Sequence, residues 1–216
     1  MIVTNCLEEY FLLIKERPEL FYECVAYKII TDREKLESYQ RDNNVKIGVI
    51  YKSTFNMLVV DLVDNCGEIL KYERIISTAK NDAVVVVPVM NGKLVLLEQY
   101  RHPIRDKQLC FPRGFGENGI APEENAKKEL KEEIGAVAKD CTYLGSVFPD
   151  SGLISTKCDV FLCTVEGYNP SEFSEGVVGV KLMDACELEN KIREDMITDG
   201  FTLSAFALFK AKKSDK

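Results

Sequence analysis

Eight residues without a polar side chain, Ala83–Met90 (AVVVVPVM), stop at Asn91-Gly92 and restart as KLVLLEQYR. Such a run has no face to offer to water, so it reads as a strand covered on both sides. Asn-Gly accepts the two positive φ angles of a tight hairpin, which makes Lys93–Arg101 the adjacent strand. A sheet covered twice needs two outer layers, and the following sequence alternates helices and strands as a layered α/β domain does. Pro122–Ile134 reads as a helix closed by Gly135. Strands are expected at Tyr143–Val147, Cys158–Val165 and Val177–Leu182, and closing helices at Asp184–Arg193 and Leu203–Lys210.

Upstream, Leu7–Ile14 and Asp32–Tyr39 read as helices, the second capped by Thr31, with a strand at Tyr22–Ile30 between them. VKIGVIYKS and MLVVDLV read as strands, and the latter turns at Asp64-Asn65-Cys66-Gly67 into EILKYERIIS. A boundary near residue 80 divides the 216-residue chain into 1–79, a small α+β segment, and 80–216, the layered domain.

With 28 Lys+Arg against 35 Asp+Glu, the net charge of −7 offers no general attraction to nucleic acid or an anionic membrane. A phosphate ligand would need local help from a metal ion or a few arginines. The eight cysteines contain no C-x-x-C, and His102 is the only histidine, so a Cys/His zinc site has no framework. Cys158 and Cys163 lie in the apolar run KCDVFLC and read as free thiols acting as small hydrophobes. The N-terminal stretch lacks a positive n-region, and no apolar run approaches the roughly 20 residues of a membrane span. A reducing cytoplasm is the expected setting.

On a helical wheel Glu129, Glu132 and Glu133, spaced i, i+3, i+4, share one arc of about 100°. Ala126, Leu130, Ile134 and Val137 occupy a different arc and should face the core. Two carboxylates about 5 Å apart repel by roughly 3 kcal/mol at an effective dielectric near 20. A hard divalent cation such as Mg²⁺ relieves that repulsion and keeps positions open for water and phosphate. Interleaved Lys127, Lys128 and Lys131 allow the other reading, a solvated salt-bridged face, with pairs at Glu124–Lys128 and Lys128–Glu132. Periodicity leaves both open.

The segment Gly114–Ala136, from GFGENGI through KKELKEEIGA, resembles the Nudix box, G-x5-E-x7-R-E-U-x-E-E-x-G-U, with its spacing complete over 23 positions. The stretches AVVVVPVMNGKLVLLEQYRHPI, FPRGFGE and YLGSVFPDSGLIS look like the ADP-ribose pyrophosphatase branch of that family, and the likeness covers about residues 56 to 210. The sequence departs from the pattern at Ile120, where the family has Glu, and at Lys128, where it has Arg. Cys110 stands where a glutamate is common. The paired change at Ile120 and Lys128 reads as one supporting ion pair replaced as a unit.

The resemblance implies an α/β/α sandwich with a mixed sheet, preceded by the small N-terminal α+β segment. It implies Mg²⁺, with Mn²⁺ as a substitute, held by Glu129, Glu133, Glu132 and the backbone carbonyl of Arg113. Arg101, Arg113 and Gly114 would meet the substrate. The general base would come from a mobile loop over residues 167–176, with Glu175 first and Glu172 second, and Glu132 assisting. Phe148, Asp150 and Ser151 lie on a loop able to shape a sugar site. His102, one residue past Arg101, should point to the opposite side and be structural. The expected activity is hydrolysis of ADP-ribose or a related nucleoside diphosphate sugar by a homodimer that exchanges its N-terminal β segment. The alternative is a Nudix-fold sensor that binds without cleaving.

Overall fold

The structure, a computed structural model, describes residues 1–213 and divides into two compact units. The first comprises Met1–Thr78 with Asp150–Thr156; the second comprises Ala79–Pro149 and, among the described residues, 157–213. Among the described residues no helix is long and apolar enough to cross a membrane.

In the first unit, β1 (Tyr27–Ile29), β2 (Gly48–Lys52) and β4 (Glu68–Ser77) all pair antiparallel with β3 (Asn56–Asn65). The β3–β4 hairpin closes, as expected, on a short glycine-containing turn, where Cys66 (φ 53°) and Gly67 (φ 95°) take the left-handed conformations a two-residue hairpin requires. Helix α1 (Cys6–Glu16) contributes Leu7, Tyr10 and Leu13 to a core with Ile47, Val59, Leu62 and Ile76, and α2 (Arg33–Asn43) contributes Leu36. The cap of α2 is Asp32 rather than Thr31, since the Asp32 carboxylate accepts the Lys35 N–H. The strand expected over Tyr22–Ile30 shrinks to Tyr27–Ile29, because Pro18–Phe21 winds into a 3₁₀ turn and the chain reaches β3 only after it. Residues 150–156 stitch onto β4: Ile75 N donates to Leu153 O, and the Tyr72 hydroxyl donates to Gly152 O. Phe148 stays with the second unit, while Asp150 and Ser151 belong to the first.

The second unit is built on a seven-stranded mixed sheet ordered β11 (Val177–Met183), β6 (Lys93–Arg101), β5 (Ala83–Met90), β10 (Cys158–Val165), β9 (Ala138–Val147). β7 (Asp106–Cys110) pairs with β6, and β8 (Arg113–Gly114) with β5. Only β5 and β10 run parallel among these pairs. The all-apolar β5 is explained by its two coverings. Val84 and Val86 pack with Ala126, Leu130 and Ile134 of α3 (Pro122–Ile134). Val85 and Val87 pack with Leu188 of α4 (Ala185–Arg193) and with Ala205, Phe206 and Phe209 of α5 (Gly200–Lys213). Each such valine contributes roughly 1.5 kcal/mol or more by leaving water. The result is the α/β/α layering with a mixed sheet.

Period-2 alternation then fixes which side of β6 faces which helix. Leu94 and Leu96 join the α5 side, while Val95 and Leu97 join the α3 side. Continuing that parity carries Gln99 and Arg101 toward the α3 side.

Two expectations are corrected. Val137 is 67% exposed instead of core, because Gly135 (φ 64°) terminates α3 and its helical periodicity with it. Cys163 is not a free thiol: it forms a disulfide with Cys141, its direct cross-strand partner between β10 and β9. Strand register creates that pairing, and the 22-residue spacing in sequence does not announce it. Cys158 remains a buried free thiol, as expected.

In the first unit one charged group is almost fully buried. Asp61 is 2% exposed and accepts from Arg74 Nε at 2.6 Å and from the Tyr10 hydroxyl. Removing the cation strands a carboxylate away from water. Arg74→Met should therefore lower stability by about 3 kcal/mol or more in urea unfolding monitored by circular dichroism.

Candidate active site

Helix α3 buries two carboxylates beside its apolar residues. Glu129 is 7% exposed and Glu133 is 1% exposed. Space for Glu129 comes from β8: a Cβ on Gly114 would lie 1.8 Å from Glu129 Oε1. Gly114 is thus required by close approach rather than by an unusual φ, and its contact is with Glu129.

The loop between β8 and α3 is held from behind by Asn81. Its Nδ2 donates to Glu117 O at 2.6 Å and to Ile120 O at 2.7 Å, and a Cβ on Gly116 would clash with Asn81 O at 2.0 Å. This grip presents Glu117 to the helix. Glu117, Glu129 and Glu132 offer ligand oxygens that all lie within 4.8 Å of one another. Glu117 had no role in the sequence reading, and its signal was its place in GFGENG, three residues before Ile120. Lys128 contacts Glu117 and, at 3.4 Å, Glu132. The ion pair expected to be absent is therefore relocated from position 120 to position 117. Lys127, not Lys128, pairs with Glu124 at 2.8 Å.

Donor chemistry here is carboxylate oxygen throughout, which suits a hard cation such as Mg²⁺ or Mn²⁺ and not a thiophilic one. Burial and the neighbouring negative charges of Glu175 and Glu132 push Glu129 up to about 7. Burial and the nearby Glu129 push Glu133 up to about 8, while Arg101 opposes the shift. Both carboxylates are thus strained as anions until positive charge reaches them.

Glu133 has two protein donors: Arg113 N to Oε2 at 3.3 Å and Gln99 Nε2 to Oε1 at 3.3 Å. The same Gln99 Nε2 donates to Glu175 O at 2.9 Å. Glu175 adopts φ 49° and Gly176 φ 79°, and Val177 N closes the turn on Ser174 O at 2.9 Å. A left-handed non-glycine residue costs about 1 kcal/mol or more and persists only when its surroundings hold it. The loop over residues 167–176 is hydrogen-bonded on two sides. Ser174 N donates to Glu133 O, Ser174 Oγ to Glu132 O, and Tyr100 N to Gly176 O. Glu172 instead turns to the C-terminus of α3, accepting from Asn169 Nδ2 beside Gly135.

Arg101 Nη2 donates to Cys110 Sγ at 3.4 Å, and Arg101 Nε is a buried donor with no acceptor among the described residues. The guanidinium of Arg113, by contrast, is committed to Asp199 Oδ1 at 2.6 Å and lies over the Phe201 ring. Asp199 Oδ2 in turn caps α5 through Thr202 N and Oγ1. His102 sits exposed in the turn after β6, its Nδ1 3.2 Å from Arg105 Nη1.

Residues 79–201, more than half of the chain, match the family model described as NUDIX domain. The chain belongs to the Nudix family. This Nudix chain is 30% identical over 125 residues to ADP compounds hydrolase NudE of Escherichia coli (strain K12), covering 57% of this chain and 67% of that protein. It is 32% identical over 114 residues to ADP-sugar pyrophosphatase of Mus musculus, covering 49% and 52% of the two chains. It is 35% identical over 81 residues to ADP-ribose pyrophosphatase of Bacillus subtilis (strain 168), covering 37% and 44%. The match thus spans about half of the latter two relatives. A crystal structure of an ADP compounds hydrolase superposes with a TM-score of 0.66 at 20% identity, over 79% of this chain and 93% of that one, which establishes the shared fold.

The raised carboxylates set a pH dependence. A carboxylate with a higher folded than unfolded pKa contributes stability that is full below about 4.5 and is lost as pH rises through about 7 to 8. Metal-free protein should therefore melt at a lower temperature at pH 8.5 than at pH 6 by this contribution. Adding Mg²⁺ should raise the midpoint more at pH 8.5 than at pH 6, measured by differential scanning fluorimetry.

Proposed function

We propose that this Nudix chain hydrolyses the pyrophosphate bond of ADP-ribose or a related nucleoside diphosphate sugar, giving a nucleoside monophosphate and a sugar phosphate. The observation that carries this reading is the convergence of Glu117, Glu129 and Glu132, with Gly114 leaving room for the Glu129 carboxylate and Glu133 buried one turn further along α3. The names of the relatives from Escherichia coli, mouse and Bacillus support the substrate class.

Glu129, Glu133, Glu132 and the carbonyl of Arg113 would hold Mg²⁺, or Mn²⁺ in its place, and Glu117, whose carboxylate lies within 4.8 Å of those of Glu129 and Glu132, would join them. When bound, a divalent cation neutralises the diphosphate and makes a coordinated water more acidic. The chain's own groups supply the rest. Arg101 offers its unpaired Nε–H to a phosphate oxygen, a donor whose burial strengthens the contact. Glu175, close enough to Glu129 and Glu133 to raise both, accepts the proton of the attacking water. The water oxygen forms the new P–O bond as the bond to the bridging oxygen breaks, and that oxygen leaves on the second phosphate. Glu172, turned to Asn169, takes no part in this arrangement, and Arg113 acts through its backbone.

Incubating the protein with ADP-ribose and Mg²⁺ should yield AMP and ribose 5-phosphate by anion-exchange chromatography. Unchanged ADP-ribose with full turnover of another diphosphate would remove the substrate assignment. Tight binding of ADP-ribose without product would favour a sensor. Glu133→Gln should lower kcat by at least roughly a hundredfold in the same assay.

A further inference from the structure

The side chain of Gln99 touches both halves of the proposed machinery, the Glu133 carboxylate and the Glu175 turn, and neither the family match nor the relatives assign it a role. It lies on β6 at 1% exposure, opposite Val177 in the β6–β11 ladder. Its amide nitrogen donates to Glu133 Oε1 at 3.3 Å and to the Glu175 carbonyl at 2.9 Å. Its amide oxygen accepts from Cys110 Sγ at 3.4 Å. A primary amide has two N–H donors and one acceptor oxygen, so these three contacts use each of its polar groups at least once.

Glu133 Oε1 and the Glu175 carbonyl can only accept, so they draw the NH₂ of the amide, and the thiol supplies a donor for its oxygen. Arg101 Nη2 donates to Cys110 Sγ, and the Cys110 S–H donates onward to Gln99 Oε1. With the oxygen facing the thiol, the NH₂ faces Glu133 and Glu175. A carboxylate at position 110 would set an acceptor against the amide oxygen. Position 175 also needs an external hold, since its φ of 49° is one a glutamate rarely adopts.

We propose that Gln99 is a positioning residue, a buried latch oriented by Cys110 that fixes the left-handed Glu175 turn against Glu133. It touches no reacting atom and acts through Glu175 and Glu133, so this inference rests on the hydrolase reading above. Its expected signature is loss of kcat without loss of substrate affinity, together with loosening of the 172–177 turn.

The test compares Gln99→Met, which keeps the length and removes the amide, with Cys110→Ala and Cys110→Ser. Two readouts are needed: hydrogen–deuterium exchange of metal-free protein, and steady-state kinetics on ADP-ribose with Mg²⁺. Gln99→Met should speed exchange in peptides covering 172–177 while β5 and the body of α3 keep their protection. Its kcat should fall by roughly tenfold to a hundredfold with KM within about twofold. Cys110→Ala should shift both readouts the same way to a smaller extent, and Cys110→Ser, which retains an O–H donor, should restore them.

Unchanged exchange at 172–177 in Gln99→Met overturns the latch, and so does faster exchange spread over the whole second unit. A fall in kcat that Cys110→Ser fails to restore overturns the orienting role of the thiol. Parent protein inactive on every diphosphate overturns the hydrolase reading, while the exchange experiment still judges the latch.

Discussion

Glu129 and Glu133 are buried one helical turn apart on α3, close enough to destabilise one another as anions, and much of the second unit is arranged around them. Gly114 lacks a Cβ because the Glu129 carboxylate occupies that space. Asn81 holds the loop that brings Glu117 into the same cluster. β5 must be apolar on both faces because α3 covers one side and α4 and α5 the other. A helix chosen for stability alone would not bury this charge, since desolvating a carboxylate costs more than a nearby lysine returns. As anions these carboxylates are stable only when positive charge reaches them.

Opposite α3, β6 carries the complementary parts. Its α3-facing positions run from Val95 and Leu97, which are core, to Gln99 and Arg101, which are polar. One strand thus passes from packing to chemistry over four residues by keeping its alternation. The loop bearing Glu175 is bound to that strand and to the end of α3, which holds Glu175 near the carboxylates without a rigid element of its own.

The departures from the family pattern have local explanations once the side chains are placed. Lys128 keeps an acidic partner in Glu117, so the change at Ile120 moves an ion pair by three residues. Cys110 lies between Arg101 and Gln99, where a weak donor satisfies an amide oxygen. Arg113, expected to meet the substrate, spends its guanidinium on Asp199 and so ties β8 to the start of α5.

Sequence alone determined the elements whose signals are local and periodic. β5, β6 and α3 fall at the expected residues, because an apolar run, an Asn-Gly turn and a helical wheel are read over a few neighbours. The clustering of Glu129, Glu132 and Glu133 on one arc is also local, since 3.6 residues per turn decides it. Tertiary structure decided what depends on chain segments distant in sequence. The place of Glu117, the separate surroundings of Glu172 and Glu175, the Cys141–Cys163 pairing and the Gln99 contacts each require two segments to meet. No periodicity within one segment encodes such a meeting. It is set by strand register and by which side chain finds room, and both exist only after the sheet has formed.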